Sequence, residues 1–87
     1  MVERLIINDD EFSLYLLEKF PTEEWINFRV YSARKNGVRV RRCRLSYSRK
    51  ENRISRNHSA QSFYEKDPEA FGRVADLMRS AVDAGLV

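Results

Sequence analysis

Cysteine occurs once in this 87-residue chain, at position 43, and histidine once, at position 58. A single cysteine excludes an internal disulfide and supplies no pair of thiolates to hold a structural zinc. Long apolar runs are missing too: "LII" and "LYLL" fall far short of the ~20 residues that a membrane-spanning helix needs. No basic-then-apolar leader opens the chain, so a cytoplasmic protein with no membrane contact is expected. There is no Ser-His-Asp spacing, no acidic metal cluster, no phosphate loop and no GxGxxG. Neither a metal nor a cofactor is expected, and a binding role fits better than an enzymatic one. The best catalytic candidates, His58 with Arg53, Arg56, Tyr64 and Glu65, have the residue types of a metal-independent ribonuclease. A lone histidine beside a strand end is more often a surface residue.

What the chain has instead is arginine, twelve against four lysines. The net charge of +3 conceals a strong segregation along the sequence. Residues 29 to 56 hold nine arginines and two lysines against one acid, Glu51, while the remainder holds five basic and twelve acidic residues. A preference for arginine favours planar, bidentate recognition of phosphate, base edge or carboxylate.

The length suits one domain with one small core, and no linker or repeat divides residues 1 to 87. "VERLIIN" suits a strand. Asn8 and Glu11 form a capping-box pattern, and Phe12, Leu16 and Phe20 recur at helical spacing, so a helix is expected from about Asp9 to Phe20, ended by Pro21. Residues 25 to 34 alternate Ile26, Phe28 and Val30 with Asn27, Arg29 and Tyr31, a half-buried strand whose start Trp25 is expected to anchor in the core. A turn over Arg49 to Asn52 and a short strand at 52 to 56 come next, and residues 59 to 66 read as helix or extended chain. Asp67 as N-cap and Pro68 at N1 open a last helix to about residue 84, with Phe71, Val74, Met78, Ala81 and Val82 on its buried stripe.

Between these elements lies "NGVRVRRCRLSYS", in which Val38 and Val40 fall on one parity and Cys43, Leu45 and Tyr47 on the other. A two-residue turn at Asn36-Gly37 would set Val30 against Cys43, Phe28 against Leu45 and Ile26 against Tyr47, three apolar pairs on one face. A one-residue slip would set Val30 against Arg42 and Phe28 against Arg44, which a buried face resists. The two-residue register requires no bulge, and it places Tyr31 opposite Arg42 and Arg34 opposite Arg39 in a hairpin that projects beyond the core past Ser32 and Arg41.

These elements make an α+β domain: an antiparallel sheet of three or four strands in the order β-α-β-β-(β)-α, two helices on one face, and a projecting Arg-rich hairpin. Its order resembles the αβββα plan of double-stranded-RNA-binding domains with a leading strand added. "KDPEAFGR" at 66 to 73 departs from the lysine-rich patch those domains carry there, and the family is not assigned. The expected function is nucleic-acid binding, to DNA or RNA, through Arg29, Tyr31, Arg34, Lys35, Arg39, Arg41, Arg42, Arg44, Arg49, Lys50, Arg53 and Arg56. The alternative is a small inhibitor or adaptor, for example virus-encoded, that docks the same surface on an acidic, nucleic-acid-handling protein. A homodimer could also pair these arginines with the acidic ends of a second copy.

Overall fold

A computed structural model describes residues 3–17, 25–33, 37–55 and 57–86. Five strands come first, β1 (Glu3–Asn8), β2 (Phe12–Leu17), β3 (Trp25–Ala33), β4 (Arg39–Ser48) and β5 (Arg53–Ser55), followed by α1 (His58–Lys66) and α2 (Pro68–Asp83). The fold is α+β, and the strands form one antiparallel sheet in sequence order.

The helix expected over Asp9 to Phe20 is not formed: residues 12 to 17 are β2, so the order is five strands and then two helices. Phe20 and Pro21 lie outside the described residues. The likeness in element order to double-stranded-RNA-binding domains goes with that helix. Asp9 explains the misreading. Its carboxylate accepts the N–H groups of Glu11 and Phe12, both at 2.8 Å, and the Asp9 N–H donates to the Phe12 carbonyl at 2.9 Å. Asn/Asp side chains that can cap a helix can equally close a turn, and here they join β1 to β2. Beyond the turn Phe12, Leu14 and Leu16 alternate onto one face, where they lie opposite Ser32, Val30 and Phe28 of β3.

That face is the core side. Phe12, Leu14, Phe28, Val30, Cys43, Leu45 and Tyr47 are buried against Ala60 of α1 and Ala70, Phe71, Val74 and Met78 of α2. Both helices therefore lie on one face of the sheet. An edge-on ring contact joins the sheet to α1, Phe12 to Phe63 at 6.4 Å, and two more join α1 to α2, Phe63 to Phe71 at 6.2 Å and Tyr64 to Phe71 at 5.4 Å. Asp67 ends α1, its N–H donating to the Phe63 carbonyl, and starts α2, its carboxylate accepting the Ala70 N–H. The expected stripe of α2 is buried at Phe71, Val74, Met78 and Ala81, with Val82 half-buried. Gly85, at φ +74°, closes the helix with bonds from Gly85 N–H to the Val82 carbonyl and from Leu86 N–H to the Ala81 carbonyl.

At the base of the β3–β4 hairpin the pairs are those expected: Ile26 with Tyr47, Phe28 with Leu45, Arg29 with Arg44 and Val30 with Cys43. Then the register shifts. Tyr31 pairs with Arg41, Ser32 with Val40 and Ala33 with Arg39. A bulge at Arg42 thus joins the two-residue register to the slipped one, and the expectation of a bulge-free strand with Tyr31 opposite Arg42 is corrected. The extra residue restores the count. Val40, Cys43, Leu45 and Tyr47 all end on the helix side despite their opposite parities. The expected pairing of Arg34 with Arg39 is replaced as well, since Arg39 opposes Ala33. β2 runs beside β3 as far as Ser32, and the paired strands of the hairpin reach Ala33 and Arg39; residues 34 to 36, and with them the expected turn at Asn36-Gly37, lie outside the described residues.

Candidate nucleic-acid interface

The site is best built from the face of the sheet that the helices do not touch. In β2 and β3 the residues between the core positions point there, and the registers align them in rows: Asn8, Ser13, Tyr31 and Arg41, then Leu5, Tyr15, Arg29 and Arg44. Trp25, paired with Ser48, and Arg53, paired with the same serine from β5, occupy the far end. Trp25 is half-buried on this open face, not anchored in the core as expected, with the Arg53 guanidinium 5.3 Å from its ring centroid. Tyr15 and Tyr31 meet edge to face, their centroids 5.3 Å apart.

Charge is divided across the sheet. The five strands contain seven arginines and a single acid, Glu3, whereas residues 57 to 86, which carry both helices, hold five acids and three basic residues. The arginines do not all serve the same end. Arg29 is ion-paired with Glu3, and its Nε is buried with no partner among the described residues. Arg39 donates to the Asn8 side chain at 2.7 Å. Arg53 pairs with Glu51 at 2.8 Å while it covers Trp25. Arg41 and Arg44 are exposed, and their side chains have no partner among the described residues.

The bulge removes Arg42 from this group. Its Nε donates to the Ser32 hydroxyl at 2.6 Å, and it lines a recess with Phe12, Phe63 and Asp67 on the helix side. Arg49 and Lys50 are exposed in the β4–β5 turn, apart from the rows above. Arg34, Lys35 and Arg56 lie outside the described residues. Tyr15 and Trp25 are the members that sequence reading missed. Tyr15 falls within the helix expected over Asp9 to Phe20 and Trp25 is expected in the core, yet the alternation of Tyr15 with Leu14 and Leu16 carries the signal.

The backbone beside Arg44 is closed. Asn57 of the α1 N-cap donates its side-chain amide to the Arg44 carbonyl at 2.7 Å, and the Ser59 hydroxyl accepts the Arg44 N–H at 3.1 Å. These side chains take the place of a neighbouring strand where β5 has ended. The Arg44 backbone, from which the exposed side chain springs on the open face, is thereby held in place.

His58 is exposed in the first turn of α1, whereas Tyr64 packs on Phe71. Burial pushes the Cys43 thiol up to about 12, with Arg41 pulling weakly the other way, which keeps it protonated and unreactive at neutral pH. No helix of the described residues is long and apolar enough to cross a membrane. Neither a protein-family model nor any curated protein or solved structure matches this chain.

Proposed function

We propose that this protein binds nucleic acid through the helix-free face of its sheet and acts as a binding protein, not as an enzyme. The observation that carries the reading is the pair Arg41 and Arg44. Both are exposed on a face whose strands hold one acid, and neither has a side-chain partner among the described residues. Arg44 also stands directly opposite Arg29, and the one acid of the strands, Glu3, is ion-paired with Arg29 and not with Arg44. Phosphate supplies an anion for Arg41 and Arg44, and the fork of arginine matches it. The acids of the molecule lie mainly outside the strands, so a polyanion meets little repulsion when it approaches this face.

Binding to labelled DNA and RNA, followed by fluorescence anisotropy over a range of salt, tests the reading. Contact with four to six phosphates gives log K against log salt a slope of about −3 to −5. Salt-independent binding, or none to any DNA or RNA, overturns the proposal and leaves an acidic protein surface as the partner of the same arginines. Nuclease-treated and untreated co-purifications run in parallel separate these two outcomes.

A further inference from the structure

We infer that the nucleic acid this face takes is single-stranded, with a base stacked on Tyr31 and the flanking phosphates held by Arg41 and Arg44. The inference rests on the nucleic-acid reading above and specifies its substrate class.

Width argues first. A free two-stranded ribbon fits a B-DNA major groove about 12 Å across. Here the row through Tyr31 is four strands wide, Asn8, Ser13, Tyr31 and Arg41, or about 14 Å between its outer backbones before side chains are added. The face is too broad to enter the groove. Tyr31, Arg41 and Arg44 all stand in rows where β2 flanks the hairpin.

The aromatic rings argue second. Contacts to a duplex backbone need cations alone, because the bases are stacked inside; an unpaired base adds a π-face that seeks an aromatic partner. Tyr31 is half-buried, stands opposite Arg41 and is fixed in attitude by its edge contact with Tyr15. A ring already held in place loses little freedom when a base settles on it. Trp25 lies on the same face six residues back along β3, about 20 Å away, beneath Arg53. A strand of nucleic acid that follows β3 therefore passes from one aromatic residue to the next between arginines.

Affinities for single-stranded DNA and RNA and for DNA and RNA duplexes of equal length test the inference. They are joined by ultraviolet cross-linking of a 5-iodouracil-containing single strand to the unmodified protein, with the cross-linked peptide located by mass spectrometry. Single strands bind about tenfold or more tighter than duplexes, Tyr31→Ala loses roughly tenfold, Tyr31→Phe keeps most of the affinity, and the cross-link falls on Tyr31. Thermal unfolding of both variants separates a binding loss from a folding loss. Equal or tighter duplex binding, an unaffected Tyr31→Ala, or a cross-link away from β3 overturns the inference and leaves nucleic-acid binding standing. Absence of binding to every oligonucleotide removes both.

Discussion

The two faces of the sheet are made from alternate residues of the same strands, yet they solve opposite problems. Along β3, Phe28 and Val30 are wholly buried under the helices while Arg29 and Tyr31, their immediate neighbours, stay partly open on the other side. One face is apolar and packed against two helices. The other gathers arginines and aromatic rings that no element of the described residues covers. A sheet whose outer face only needed to be wet could mix charges of both signs, which lowers self-repulsion. Here the strands hold seven arginines against a single acid, Glu3.

Substitutions on the two faces should therefore part stability from binding. The largest effect belongs to Phe28→Ala, which empties the centre of the core and should cost about 3–5 kcal/mol in urea unfolding. For a small domain that is a large share of the total stability. The double substitution of Arg41 and Arg44 by Glu should leave unfolding within about 0.5 kcal/mol of the parent. It should weaken oligonucleotide binding at least tenfold and make the salt slope shallower by about two. If it instead unfolded the protein, the contrast between the faces would collapse.

How much of this was legible depended on whether local and tertiary signals agreed. In α2, the Asp67 cap, Pro68, the stripe from Phe71 to Ala81 and Gly85 all point the same way, and the helix forms as expected. The hairpin base was readable because three apolar pairs fix a single register. "NDDEFSLYLL" failed for a definite reason: Asn and Asp begin helices and turns with the same side-chain bonds, and Phe12 with Leu16 satisfies both a helical and a strand period. Only the sheet decides, since β2 fills the place beside β3. The candidate face was half legible. Its arginines stood out as a cluster, but the side on which each lies depended on a bulge that alternation could not locate.

Cys43 marks the closed face by its acidity. Burial raises its pKa from 9.0 to about 12, so the folded state holds this proton after the unfolded chain has lost it. Its contribution to stability is then complete below pH 9.0 and falls as pH rises toward about 12. Urea titrations at stepped alkaline pH should show that decline, and Cys43→Ala should remove this part of it. At pH 8, native protein should resist alkylation by iodoacetamide, which unfolding in urea would restore.

The smallest effect is the most discriminating. By sequence Arg42 belongs with Arg41 and Arg44, but the bulge carries its guanidinium to the helix side, where it donates to the buried Ser32 hydroxyl. Arg42→Ala should therefore lower stability by about 1 kcal/mol through the lost hydrogen bond and leave both affinity and salt slope close to those of the parent. Deleting Arg42 tests the bulge itself. Cys43 would then follow Arg41 directly, the pairs Val30–Cys43 and Tyr31–Arg41 would become consecutive, and Val40, Cys43 and Leu45 would keep the helix side in a strand without a bulge. A folded deletion variant together with intact binding by Arg42→Ala would establish that this arginine is the extra residue of the strand while its neighbours meet the ligand. A loss of binding by Arg42→Ala equal to that of the double Glu variant would return Arg42 to the interface and erase the division between the two faces at this point.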